Sequence, residues 1–316
     1  MKKIITYSAP AKVILSGEHA VIFNKPALAL ALALRLNFSL LNAGSKRKNN
    51  TNIDFISKTV KNYLKSQKKK ILSNRDLYQY VIKSSIPIKR GLGSSAALSV
   101  AASATFLEYY SGETYPNEIV NNLSYKIEKR FHDNPSGVDN SACCFGGLIY
   151  FRKEFNFLKN ISQLNFIIPK KIEEKLYLID SGPPLEKTSE MINLVADFYR
   201  RHPKKAADIF NDIEKTTRRF VVSIIKEDEH LFAESLKNNN VLLNKLGIIS
   251  ARTQNLLLDL NKFGVGKVTG AGGRSENSGF ILFFAFDESR LIHYLMLNKI
   301  NYFKFKQSVE GLKKEP

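Results

Sequence analysis

The chain has 316 residues, 44% hydrophobic and 24% charged, with 48 Lys+Arg against 29 Asp+Glu and a formal net charge of +19. That length suits two domains, or one large one, with ample core, and the longest apolar run, 26–34, is too short to cross a bilayer. Two adjacent cysteines, Cys143 and Cys144, suit a reducing cytoplasm, argue against a disulfide framework and read as small core residues.

No signal peptide is expected, because Met1-Lys2-Lys3-Ile4 leads straight into an apparent strand. The charge has three readings: nucleic-acid binding, an acidic phosphorylated substrate, or a lysine-rich background. The densest patch, 46–48 with 68–70, lacks the aromatic–glycine pattern of an RNA-binding sheet. A lysine-rich background with mild attraction for phosphates is therefore favoured, and no nucleic-acid or membrane partner is expected.

Residues 3–42 read as β structure. Stretches 4–7, 12–15, 27–34 and 36–41 suggest four strands from alternation at period two, although the Ala/Leu run 27–34 also suits a helix. The turn Ser16-Gly17-Glu18-His19 carries an acid and an imidazole. A polar, basic loop at 44–52 precedes helical patterns at 53–66 and 75–84.

The stretch 87–99, PIKRGLGSSAALS, reads as strand end, glycine turn and helix. Gly91 and Gly93 permit a tight turn. Ser94 and Ser95 fall where a helix N-cap belongs, before helix-forming alanines. Such a helix start offers unpaired N–H groups and a partial positive charge to a phosphate. It lacks the Gly-Lys-Ser/Thr of a Walker loop, so it is either a different phosphate cradle or an ordinary helix entry.

Helices are expected at 94–110 and at 116–131, the latter started by Pro116. The segment 132–140, HDNPSGVDN, is broken by Pro135 and Gly137, with a helical turn ending at Cys144 and a strand at 148–151. A polar stretch at 153–170 suggests the boundary between domains 1–160 and 161–316. The second half reads as strand 176–180, loop 181–184, and helices near 187–200, 204–226, 228–245 and 251–263. Strand 267–269 then enters the loop Gly270-Ala271-Gly272-Gly273, followed by strand 280–286, helix 288–298 and strand 300–306. The order suits an α+β layer fold. The lysine-rich tail 313–316 is expected to fray.

Four segments, 8–19, 91–95, 132–140 and 269–273, supply what phosphoryl transfer needs if they converge. They resemble the motifs of the GHMP small-molecule kinases, most closely the mevalonate kinase branch. Residues 9–21, APAKVILSGEHAV, are similar to the first motif; 87–97 to the ATP-cradling second; 135–140, PSGVDN, to the catalytic segment; and 269–273 to the start of the third. The matches run in the expected order over nearly the whole chain.

The resemblance implies a two-domain fold: a β-rich/α N-terminal domain, a C-terminal α/β layer domain, and the active site between them. It implies ATP and Mg²⁺, with mevalonate phosphorylated on its primary hydroxyl in the cytoplasm. Asp139 is then the catalytic carboxylate, with Lys12 beside it to keep it ionised. Gly91, Leu92, Gly93, Ser94, Ser95 and Ala96 cradle the nucleotide. Glu128, eleven positions before Asp139, and Ser95 (or Ser94) bind the metal. Glu18, His19, Thr188 and Ala271 face the substrate. A homodimer is left open, since dimers are common in this family. Two departures stand out: Asp133 follows His132 where the family has Gly, and Arg274-Ser275-Glu276-Asn277 replaces further glycines and a cysteine. Either bears on which substrate is taken; Arg274 offers a charge-assisted phosphate contact.

Overall fold

The computed structural model describes residues 4–42, 50–72, 78–131, 135–154 and 159–316. Most of the basic loop at 44–52, the cluster 46–48, part of the pattern at 75–84, and the pair His132-Asp133 lie outside these.

The chain opens with β1 (Ile4–Ser16) and β2 (Ala27–Asn42), joined through a 3-10 turn at Ala20–Phe23. They pair antiparallel along nearly their whole length. The four short strands expected here are therefore two long ones. Pro10 does not end β1; the register shifts between Pro10 and Ala11, which is how a strand accommodates a residue without an N–H. Stretch 27–34 lies within β2 and is not helical. Its leucines enter the main core, while Ala27 and Ala29 face a smaller cluster with Val138 and Ala142. The Ala/Leu alternation is thus a strand buried on both faces, thin on one side.

Helix α1 (Thr51–Ser66) is capped by the Asn50 side chain, which accepts from the N–H groups of Asn52 and Ile53. The helix expected at 75–84 is instead strand β3 (Tyr78–Ser84), paired with the far half of β2. Its residues, Tyr-Gln-Tyr-Val-Ile, favour a pleated surface, and Tyr80 stacks on Phe38 of β2. Then come α2 (Ser94–Ser111), α3 (Asn117–Phe131), α4 (Val138–Phe145), β4 (Leu148–Lys153) and β5 (Lys159–Leu164). Helix α2 is buried on nearly every side. Its alanines and serines let β1, β2, α1, α3 and α4 all approach it closely.

The second half holds α5 (Lys170–Glu173), β6 (Leu176–Asp180), α6 (Thr188–Arg201), α7 (Pro203–Ile225), α8 (Glu229–Lys245), α9 (Ala251–Leu260), β7 (Gly264–Val268), β8 (Phe280–Ala285), α10 (Glu288–Leu297), β9 (Tyr302–Lys304) and β10 (Lys313–Glu315). Two antiparallel sheets result. One runs β10-β1-β2-β4-β5, with β3 beside β2; the other runs β7-β8-β6-β9. Helices and sheets are layered, as the α+β reading expected. Among the described residues no helix is long and apolar enough to cross a membrane.

The tail does not fray. Strand β10 pairs with Thr6, Tyr7 and Ser8 of β1. Lys314 Nζ lies 2.8 Å from Glu108 Oε1, and the Tyr7 hydroxyl donates to Glu108 Oε2 at 2.9 Å. Glu108 is only 4% exposed, so this cation offsets a buried carboxylate. Deleting residues 313–316 is expected to destabilise the fold by about 2–4 kcal/mol, read as a lower urea midpoint; a tail that frays would leave the midpoint unchanged.

Candidate active site

Strand β1 pairs with β2 on one edge. On its other edge β10 covers residues 6–8. Beyond that, Pro10 has no N–H to place, and Lys12 and Ile14 find partners in loops. The Lys12 N–H donates to the Leu92 carbonyl at 3.0 Å. The Ile14 N–H donates to the Thr269 hydroxyl, which donates back to the Ile14 carbonyl, both at 3.0 Å. The glycine loop at 91–93 and the one that Thr269 leads into are therefore fastened to the same stretch of β1, 12–14. The backbone groups that a sheet edge leaves unpaired draw the site together.

Lys12 lies opposite Ala31, and Ile14 opposite Ala29. Cross-strand pairs share a face, so Lys12 emerges on the thin, alanine side of β2, where the cluster containing Val138 and Ala142 of α4 packs. Asp139 stands on the first turn of α4. That helix begins after Gly137, whose φ of 98° only glycine adopts readily. Lys12 Nζ lies 3.0 Å from Asp139 Oδ1, with the lysine side chain 2% exposed and the aspartate 46%. A buried ammonium needs a counter-charge, and Asp139 supplies it while keeping its carboxylate open to a ligand.

Gly93, at φ 76°, is the N-cap of α2, not Ser94 or Ser95 as expected; Ser94 is the first helical residue, and no side chain caps the N–H groups there. A Cβ on Gly93 would come within 2.8 Å of the Lys12 stem. Glycine here leaves room for the lysine as much as it permits the turn. Leu92 and Ala96 are buried in the core, so what they can offer a nucleotide is backbone. Ser94 and Ser95 are half-buried at the helix mouth. Ser95 Oγ donates to Glu128 Oε2 at 3.2 Å, and Ser99 Oγ to Oε1 at 2.6 Å. A hydroxyl and a buried carboxylate thus stand side by side at the open end of α2, a donor pair of hard oxygens.

Glu18 and His19 follow the end of β1. Glu18 forms a buried ion pair with Lys267. His19 Nε2 lies 2.9 Å from the Ala271 carbonyl. A carbonyl only accepts, so Nε2 carries the proton. Burial holds the ring's pKa below its usual value, against the opposing pull of that hydrogen bond, and the neutral ring leaves Nδ1 as an acceptor. Glu18 Oε2 and His19 Nδ1 are buried and without a hydrogen-bond partner among the described residues. Cys143 reaches toward the Gly93 carbonyl at 4.0 Å; burial, with Asp139 close by, pushes its thiol well above the usual range, as a core cysteine requires.

Thr188 is not drawn into this cluster. It is the first residue of α6, after the cap residue Lys187, and is exposed. The atypical segment 274–277 is anchored elsewhere. The Ser275 N–H and hydroxyl both donate to Glu186 Oε1, at 2.7 and 2.6 Å, and the Asn277 amide donates to the Pro183 carbonyl at 3.3 Å. Arg274 is exposed. This segment thus clasps loop 181–187. Arg90, just before the first glycine loop, pairs with Asp180 at the end of β6. Sequence reasoning missed Lys267, Thr269 and the Arg90–Asp180 pair. The available signal was parity: residues 267, 269 and 271 alternate along one strand and its exit.

Residues 54–147 match the family profile "GHMP kinases N terminal domain". The chain is 26% identical over 282 residues to a mevalonate kinase of Methanothermobacter thermautotrophicus, covering 84% of this chain and 86% of that one. It is 28% identical over 278 residues to a mevalonate kinase of Archaeoglobus fulgidus, covering 84% and 88%. Its fold is shared with the crystal structure of L. major mevalonate kinase in complex with R-mevalonate, at TM-score 0.77 and 20% identity over 98% of this chain and 97% of that chain. It is shared equally with a Lin0012 protein from Listeria innocua, at TM-score 0.79 and 18% identity over 99% of both.

Two outcomes test the site's construction. Thr269→Val keeps the shape but strands the Ile14 N–H, while the Ile14 carbonyl keeps the Lys267 ammonium, and is expected to cost about 1–3 kcal/mol in urea unfolding. For His19 the native state binds fewer protons than the unfolded chain once pH falls below its usual value of 6.5. The histidine therefore makes stability fall as pH drops through that value. His19→Gln keeps a donor for Ala271 and is expected to flatten the decline; unchanged curves between pH 7 and 5 would contradict the neutral, buried ring.

Proposed function

We propose that this chain is a GHMP-family kinase that transfers the terminal phosphoryl group of ATP to the primary hydroxyl of mevalonate, a reading supported by its matched domain, its relatives and its fold. The observation that carries the reading is the Lys12–Asp139 pair, 3.0 Å apart, set beside the uncapped start of α2. The substrate and the residue roles follow the mevalonate kinases to which the chain is similar.

In this reading the N–H groups at 94–96 and the hydroxyl of Ser94 hold the nucleotide phosphates, aided by the partial positive charge of a long helix. The Gly91–Gly93 turn brings the backbone close enough for that contact. Asp139 accepts a hydrogen bond from the acceptor hydroxyl and receives its proton as attack develops. Lys12 pairs with the Asp139 carboxylate and stabilises the oxyanion as its charge grows. Glu18 Oε2 and His19 Nδ1, both acceptors without partners among the described residues, receive the substrate's remaining, tertiary hydroxyl. Ser95 and Glu128 fit Mg²⁺, which takes one or two protein oxygens alongside phosphates and, when bound, neutralises charge on the transferring group. Thr188 is assigned to the substrate side by resemblance alone. The same reading places the enzyme in the cytoplasm, in keeping with two free, buried thiols.

Catalysis here is positioning plus charge stabilisation. Asp139→Asn is expected to keep the fold and ATP binding yet lower kcat by about 10²–10⁴-fold, measured by coupled ATP consumption with mevalonate. Parallel assays with phosphomevalonate, homoserine and galactose, with phosphorus NMR of the product, test the acceptor. Turnover with one of these and none with mevalonate would keep the site and overturn the substrate.

A further inference from the structure

Lys267 and Glu18 are 0% and 2% exposed as side chains. Removing two charges from water costs several kcal/mol for each ion, and an apolar pair would often serve stability as well. Lys267 is too deeply enclosed to touch a ligand. Its ammonium donates to the Ile14 carbonyl at 3.0 Å and to Glu18 Oε1. Two residues on, the Thr269 hydroxyl grips Ile14; two further, the Ala271 carbonyl holds His19. One strand and its exit thus grip the end of β1 and the following turn at every second residue. Thr269 holds backbone, Ala271 the His19 ring and Lys267 the Glu18 carboxylate, and the two side chains so held each keep an atom to spare for a ligand. With Oε1 engaged, Glu18 Oε2 is left buried and, like Nδ1 of the next residue, His19, without a hydrogen-bond partner among the described residues.

We propose that Lys267 is a positioning residue. It fixes the Glu18 carboxylate, and with it the 18–19 turn, so that Glu18 Oε2 and His19 Nδ1 present a preset pair of acceptors to the substrate's hydroxyl groups. The proposal rests on the reading of 18–19 as the substrate side of a kinase site. It takes the device to be specific to the acceptor: the nucleotide loop is tied to β1 at Lys12, through Leu92, and not through Lys267.

The test is a cycle of Lys267→Met, Glu18→Gln and the double variant, with Lys267→Arg as the conservative change, each assayed well below its unfolding temperature. Lys267→Met is expected to raise KM for the acceptor and lower kcat, together by roughly tenfold or more, while KM for ATP stays within about twofold. E18Q/K267M is expected to be about as slow as E18Q alone, because the lysine acts through the glutamate. Lys267→Arg is expected to recover most of the loss. Additive losses in the cycle, or equal changes in both KM values, would overturn the proposal, since a mere strut has no preference between substrates. If Lys267→Met fails to fold, K267R and E18Q/K267M, which leaves no unpaired buried charge, decide by the same comparison. A readout independent of turnover is the ¹⁵N spectrum of His19. It is expected to show the Nε2–H tautomer in the wild type and a displaced signal in E18Q and K267M. Unchanged signals would overturn the proposal even if mevalonate proves not to be the acceptor, whereas displaced signals with an inactive wild type would overturn only the substrate.

Discussion

The outer edge of β1 organises this molecule. A long strand in a two-sided sheet must satisfy backbone groups on both sides, and β10 covers only residues 6–8. The next residues on that edge are a proline, then Lys12 and Ile14, whose partners are the Leu92 carbonyl and the Thr269 hydroxyl. Two loops far apart in the chain are thereby held to one strand by ordinary hydrogen-bond satisfaction. What those loops carry, a helix start on one side and a ring-holding carbonyl on the other, comes to the site as a result. The catalytic lysine of the proposed reaction is the residue between them.

The second constraint is thickness. Alanines at 27, 29 and 31 leave one face of β2 thin, and α4 comes down on that face. Asp139 reaches Lys12 because nothing larger stands between the helix and the sheet. Gly93 applies the same logic from above, where a methyl group would meet the lysine stem. The buried ammonium, the half-exposed carboxylate and the glycine form one steric unit, in which each residue's size is set by the others.

Much of this was legible in the sequence, and the failures have physical reasons. Period-two alternation located the β structure of 3–42, and the family resemblance singled out Lys12, Asp139, Glu128, Ser95, Glu18 and His19, of which the fold pairs Lys12 with Asp139, sets Ser95 against Glu128 and puts Glu18 and His19 just past the end of β1. Strand count failed because alternation was read in short stretches, whereas β1 runs unbroken through Pro10, where a register shift absorbs the missing N–H. The stretch 75–84 was misassigned because tyrosines and lysines suit either element, and only pairing with β2 decides. The tail was misjudged because 313–316, with two lysines, looks like a solvated end; the buried Glu108 that Lys314 serves lies 206 positions away. Lys267 escaped for a related reason. In sequence it is one lysine among many, and only the tertiary fold shows that it alone on β7 is sealed from water against an acid.

The hydrogen bond from the Lys12 N–H to the Leu92 carbonyl has a further consequence for dynamics. Inside a sheet, an amide exchanges its hydrogen when the strand pair separates. The Lys12 amide is protected by the glycine loop at 91–93 instead, so its exchange with deuterated solvent tracks the opening of that loop, while its inner neighbours on β1 track the sheet. The strand therefore carries, at a single position, a clock for the loop's motion that no label has to supply.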